Sequence, residues 1–127
     1  IYDKNYSKPI YVFADEERIL QVLTNLLVNS LKYGIDGGRT EVSLARNDDK
    51  VLIRVSDDGI GVSKEHLPRL FERFYRVDAT RSRKKGGSGL GLSIVKHIIE
   101  AHSENISVEG ELGKGTTFSF TLEYFKS

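Results

Sequence analysis

Along this chain the spacing of apolar residues switches between two periods, and the switches mark the elements. "KPIYVFA" (Lys8–Ala14) predicts a short strand, with Ile1–Asp3 available to pair with it across a turn. At Asp15 the period becomes helical. Asp15 suits an N-cap, Glu16 and Glu17 suit the positive end, and Gly34 suits a stop after Tyr33. At 100° per residue, Ile19, Leu20, Leu23, Leu26, Leu27 and Leu31 span an arc of roughly 140° that is expected to face a core. Asn25 and Asn29 then fall on the opposite side, beside Arg18, Lys32 and Tyr33.

"TEVSLARN" and "KVLIRVSD" alternate around "DDK" and predict a strand–turn–strand pair. "SKEHLPRLF" can form only short helical pieces, because Pro68 interrupts it. "RVDATRSRKKGGSG" is nearly devoid of large apolar residues and reads as a loop. "GLGLSIVKHIIEAH" predicts a second helix with an apolar stripe of Leu92, Val95, Ile98 and Ile99, entered at Leu90. "NISVEGE" and "TTFSFTLEYF" are two more alternating strands joined by "LGKG". The order β, α, β, β, loop, α, β, β implies an α+β fold. It is a two-layer α/β sandwich with a mixed, mostly antiparallel sheet covered on one face by helices.

Composition narrows the class. The 127 residues make one ordinary domain, residues 1–127, and no apolar run approaches the roughly 20 residues of a membrane span. The start lacks the basic and apolar regions of a signal peptide, and opening on Ile1 leads us to expect a fragment of something longer. The chain has no cysteine, so disulfides and thiolate metal sites are excluded. Net charge is only +1, but it is unevenly spread. Arg69–Lys85 holds seven basic residues against Glu72 and Asp78, a local +5 on a body of −4. That run is either an anion site of limited size or a solvated loop.

Glycines cluster at three joints: "DDGIG" after a strand, "GGSGLGL" opening a helix, and "GKGTT" opening the last strand. Glycine allows close backbone approach to a phosphate or a planar base, and a helix start favours an anion. Each cluster alone also occurs in ordinary turns. No P-loop is present, and Leu92 stands where a dinucleotide fingerprint needs its third glycine. The two asparagines are poor helix formers, so they either sit on a wet face or serve as ligands. Amide oxygens four residues apart project side by side and suit Mg²⁺, which takes one or two protein oxygens together with phosphates. Asp57, next to a glycine turn, could accept a hydrogen bond from an amino group such as the adenine N6.

Taken in order, "NLLVNSLKYG", "VSDDGIGV", "LFERFYRVD", "GGSGLGLSIVKHIIEAH" and "GKGTTFSFTL" resemble the N, G1, F, G2 and G3 boxes of sensor histidine kinases, over about Asp15–Leu122. The resemblance implies their catalytic, ATP-binding domain, with the Bergerat fold shared with gyrase and related ATPases. It implies Asn29 as the Mg²⁺ ligand, Asn25 in support of phosphates or the metal shell, and Lys32 and Tyr33 near the nucleotide. Asp57 would take the adenine N6, with Gly59, Ile60 and Gly61 shaping that wall and Thr116 or Thr117 closing it. Phe71 and Phe74 would anchor an ATP lid over residues 76–88, flanked by Tyr75, with Arg73 and Arg76 near the phosphates or the phosphoacceptor helix. Lys84 and Lys85 would add charge, and Gly87, Ser88, Gly89, Leu90, Gly91 and Leu92 would bring backbone amides to the triphosphate. The chain departs from the family's "HGG" with "HSEN" (His102–Asn105), which bears on the tightness of one turn.

Within the same fold, gyrase-like ATPases carry a glutamate four residues before the metal-binding asparagine, where it activates water. Here that position is Asn25, and an amide is no general base. The resemblance therefore implies transfer of the γ-phosphoryl group to an external acceptor, with a simple ATPase or a non-catalytic nucleotide sensor as the alternatives. His66, His97 and His102 lack the context of the family's phosphoacceptor and read as surface or satisfied helix histidines. The implied partners are a dimerisation domain carrying the histidine and a response-regulator receiver domain. For the full-length parent the resemblance implies a homodimer, anchored in the inner membrane with this domain cytoplasmic, whereas the fragment itself is expected to be monomeric. Ala79–Lys85 contains no aromatic side chain for stacking, which argues against nucleic acid as the partner of the basic run.

Overall fold

The computed structural model describes residues 9–35, 37–75 and 90–125. Its elements are β1 (Val12–Phe13), α1 (Glu16–Lys32), β2 (Thr40–Asn47), β3 (Lys50–Asp57), a 3-10 turn (Leu67–Arg69), α2 (Gly91–Ala101), β4 (Ile106–Glu111) and β5 (Gly115–Tyr124). β5 is central. It pairs with β3 on one side, and with β4 and then β1 on the other, while β2 lies outside β3. Every pairing among the described residues is antiparallel, so the sheet has no mixed character there.

Strand alternation builds the core. Val51, Ile53 and Val55 of β3 and Phe118, Phe120 and Leu122 of β5 point to one face, where Val22 and Leu26 of α1 and Val95, Ile98 and Ile99 of α2 cover them. This is the two-layer α+β arrangement. The first strand is shorter than Lys8–Ala14, because β1 pairs only with Glu123 and Tyr124. Lys8 and Ile1–Asp3 lie outside the described residues. Among the described residues no helix is long and apolar enough to cross a membrane.

α1 begins as expected: the Asp15 carboxylate accepts from the Arg18 amide at 3.2 Å. Its roll about its own axis does not follow the leucines. The buried stripe is Val22, Leu26 and Ser30, with Ile19 and Leu23 beside it. Leu20 and Leu31 are 64% and 79% exposed, and Leu27 is exposed as well. The helix is turned by roughly 70° from the leucine arc, toward its asparagines. Asn25 and Asn29 therefore border the buried stripe and are half-buried, not opposite the core. The polar anchors that hold this roll belong to the site below. The helix also ends at Lys32 with Tyr33 as C-cap, and Gly34 is not left-handed.

The "HSEN" turn is well made. Ser103 takes a left-handed φ of 61°, and the Glu104 amide bonds back to the Ile99 carbonyl at 3.1 Å. The Glu104 carboxylate, nearly buried, accepts from Lys50 Nζ and from Thr121 Oγ1. His102 is a satisfied helix histidine. Its Nδ1 bonds the Ile98 carbonyl, so its Nε2 is the acceptor for the Asp15 amide at 3.0 Å, tying the end of α2 to the start of α1.

Two outcomes test this packing. Leu26→Ala should cost 2–5 kcal/mol, whereas Leu31→Lys should change stability by no more than about 0.5 kcal/mol in urea unfolding; comparable losses at both positions would refute the roll. Ser103→Gly should raise stability by about 1 kcal/mol, since glycine takes the left-handed backbone without steric cost.

Candidate functional site

One edge of α1 is fastened to two other parts of the fold, and the candidate site lies along it. At the near end, Asn25 Nδ2 donates to the Gly91 carbonyl at 3.3 Å, linking α1 to the first residue of α2. A carbonyl only accepts, so the amide oxygen of Asn25 is turned away from Gly91. At the far end, Ser30 Oγ donates to Asp57 Oδ2 at 3.3 Å and the Tyr33 carbonyl accepts from the Ile60 amide at 3.1 Å. Asn29 stands between these points, one helical turn after Asn25 and on the same side. Lys32 is half-buried at the end of the helix.

The turn after β3 is held from both sides. Ile60 also accepts from the Gly113 amide at 2.9 Å, which joins the turn to the β4–β5 connection. The approach leaves no room for side chains. A Cβ on Gly59 would lie 2.3 Å from the Tyr33 carbonyl oxygen, and one on Gly61, at φ 75°, 2.0 Å from that of Glu111. Asp57 Oδ1 accepts from the Gly59 amide at 3.0 Å, so both carboxylate oxygens have donors. The adjacent Asp58 is used differently: its Oδ1 accepts from the Arg39 amide, pinning the start of β2.

Sheet register separates the two threonines. Thr116 pairs with Asp57 and shares the helix-facing side with Phe118, and it is 7% exposed. Thr117 points to the other face, where its hydroxyl bonds Ser56 at 2.8 Å. Only Thr116 is brought to Asp57.

α2 starts with Leu90 at the N-cap position but no side-chain cap, and its first turn has no acid. A leucine side chain has no polar atom to offer the leading amides of the helix. Ser93 Oγ turns back to the Leu90 carbonyl at 2.8 Å. Leu92 packs against the core. Gly91, unlike Gly59 and Gly61, has nothing among the described residues within 4 Å of a would-be Cβ.

The segment before residue 76 divides into packed and exposed parts. Phe71 sits edge-on to Phe118 with centroids 6.0 Å apart, and Lys96 Nζ lies 5.9 Å from its ring. Phe74 is not packed among the described residues. It is 62% exposed in a left-handed backbone, with the Arg73 guanidinium 5.7 Å from its ring. Tyr75 is engaged by its own segment, through a hydroxyl bond to His66 Nδ1 and the Arg69 guanidinium over its ring at 4.4 Å. Arg69 in turn bonds both oxygens of Glu72 and holds that carboxyl below the usual carboxylate range. Arg76, Lys84, Lys85, Gly87, Ser88, Gly89 and the proposed lid 76–88 lie outside the described residues.

The edge thus joins an amide pair, a doubly bonded carboxylate, a buried hydroxyl and a helix start whose N-cap residue is a leucine. Ser30 is the residue that the periodicity missed; its only sequence signal is a polar residue between Asn29 and Leu31 on the buried side of α1.

The chain is similar to known proteins in sequence and in fold. The family described as "Histidine kinase-, DNA gyrase B-, and HSP90-like ATPase" matches residues 14–125. The sensor histidine kinase WalK of Bacillus subtilis is 44% identical over 119 residues, covering 92% of this chain and 20% of that protein. The chain therefore spans about a fifth of the curated relative's length. The mycobacterial sensor histidine kinase MprB superposes with a TM-score of 0.82 at 30% identity, covering 94% of this chain and 80% of that one. Full-length ShkA, solved in complex with AMPPNP, gives 0.79 at 31% identity, covering 94% of this chain and 24% of that one.

The glycines give a test of the geometry. Gly59→Ala should lower stability by about 3 kcal/mol or more, because backbone must move, while Gly91→Ala should leave it unchanged or raise it by up to about 1 kcal/mol through helix propensity. Denaturant titration of the two variants reads both signs.

Proposed function

The chain belongs to the histidine kinase-, DNA gyrase B- and HSP90-like ATPase family, and we propose that it is the catalytic domain of a sensor histidine kinase. In this reading it binds Mg-ATP and passes the γ-phosphoryl group to a histidine on a separate dimerisation domain. The phosphoryl group then moves to a response-regulator aspartate. Relatives are about five times longer than this chain, and the rest of the polypeptide would supply the dimerisation helices and the anchoring that make a membrane-bound homodimer.

The observation that carries the kinase reading is Asn25. Hydrolysis needs a base beside the γ-phosphate, and the acids of α1 are Glu16 and Glu17, both in its first turn. Asn25 can orient but cannot remove a proton from water at neutral pH. Phosphoryl transfer asks mainly for position and charge stabilisation, so an acceptor that brings its own nucleophile suffices. The imidazole nitrogen would bond to the γ-phosphorus as the bridging P–O bond breaks and ADP leaves.

Each residue has a task in this scheme. Asp57 accepts the adenine amine, with Thr116 beside it and Gly59, Ile60 and Gly61 forming the wall. The Gly91 end of α2 would meet the phosphates with backbone amides of its first turn, where the helix dipole favours an anion. Asn29 would hold Mg²⁺ through its amide oxygen, and the ion would neutralise charge on the transferring phosphoryl group. Its half-buried position between Gly91 and Asp57 suits a metal that keeps several waters and takes its remaining ligands from phosphates. Lys32, Arg73, Arg76, Lys84 and Lys85 add positive charge around a tetraanionic nucleotide.

The test mixes the 127-residue chain with Mg²⁺, γ-labelled ATP and a separately made histidine-bearing dimerisation segment. Label should reach the segment, and Asn29→Ala should reduce transfer about 100-fold or more. Transfer unchanged in Asn29→Ala would overturn the metal assignment. Rapid release of free phosphate without any acceptor would favour the ATPase reading.

A further inference from the structure

Ser30 is the polar residue of the buried α1 stripe, only 2% exposed between apolar neighbours. Alanine would fit that position and favour the helix more, so packing does not account for the hydroxyl. Its partner is Asp57. The Ser30 hydroxyl grips Oδ2 at 3.3 Å while the Gly59 amide grips Oδ1 at 3.0 Å, from a helix and from a turn. The hydroxyl contact is long for its kind, and contacts of this sort tighten when a ligand is bound.

We infer that Ser30 is a specificity-determining residue of the base pocket, positioning Asp57 so that its carboxylate reads a single exocyclic amine and not a paired N–H edge. The inference rests on the reading that Asp57 receives the nucleotide base. An ionised carboxylate has about four acceptor positions, two on each oxygen. With both oxygens free it can present them together to two parallel donors, the arrangement that makes bidentate pairs strong. Guanine offers such a pair through N1–H and its 2-amino group. Adenine offers one amine beside a ring acceptor. With one donor already on each oxygen, supplied by separate elements, the carboxylate plane is fixed and turning its two-oxygen edge to a ligand would break a bond. Removing the Ser30 hydroxyl frees Oδ2 and lets the plane turn.

The experiment measures ATP and GTP affinity of the 127-residue chain by calorimetry for wild type, Ser30→Ala, Ser30→Thr and Asp57→Ala, with melting temperatures alongside. Ser30→Ala should fold, bind ATP about 3–10-fold more weakly and narrow the ATP-over-GTP ratio about fivefold or more, while Ser30→Thr, which keeps the hydroxyl, restores the ratio. An unchanged ratio in Ser30→Ala, whether both affinities fall together or neither moves, would overturn the inference while leaving the Asp57 reading in place if Asp57→Ala loses ATP binding. ATP binding that survives in Asp57→Ala would overturn that reading and the inference with it.

Discussion

The seating of α1 on the turn after β3 is the constraint from which the rest of the site follows. The Tyr33 carbonyl accepts the Ile60 amide, and Gly59 lies so close to that same oxygen that no side chain can come between. This backbone seam fixes where the helix ends. It does not fix its roll, which is set by the side-chain bonds of Ser30 to Asp57 and Asn25 to Gly91. With three attachments along one edge, the distance from the Asp57 turn to the start of α2 is set by the length of a rigid helix. Asn29 is carried between them. The glycines of the turn are therefore structural before they are anything else.

The roll has an energetic consequence. Burying Leu20, Leu27 and Leu31 in place of Ser30 and the asparagine edge would remove more apolar surface from water, at about 25 cal/mol per Å². The fold instead buries a serine and leaves those leucines in solvent. A local choice that opposes the hydrophobic pattern is expected where a site must be built, and satisfied polar contacts compensate for part of it. Among the described residues, no buried side-chain polar atom lacks a partner.

This conflict explains which parts of the fold were legible in the sequence. The alternating segments mark β2 and β3 to the residue, and of the expected stripe α2 buries Val95, Ile98 and Ile99 with Leu92 half-buried beside them, because in those elements the apolar pattern and the packing agree. The fold class follows from the same agreement. The roll of α1 was not legible, since six leucine and isoleucine positions outweigh one serine in any periodic reading. The choice between Thr116 and Thr117 was open for another reason: adjacent strand residues face opposite sides, and only the pairing of Asp57 with Thr116 decides between them. The resemblance makes Phe74 a lid anchor beside Phe71, and the two part in the fold: Phe71 packs on Phe118, while Phe74 is exposed with a left-handed backbone.

Asn25 shows how fold and chemistry constrain one position together. Its amide nitrogen faces the Gly91 carbonyl, and only a donor can stand there. A glutamate at 25 would bring an ionised oxygen toward a carbonyl oxygen at the start of α2, so it would lose the bond and add repulsion. To act as a base it would have to swing away, and the link between α1 and α2 would open at that end. The amide therefore holds the two helices together and withholds a base from water by the same chemical property: it donates a hydrogen bond and does not take up a proton near neutral pH. One side chain thus links the two helices and, in the proposed kinase reading, leaves the nucleophile to come from the acceptor.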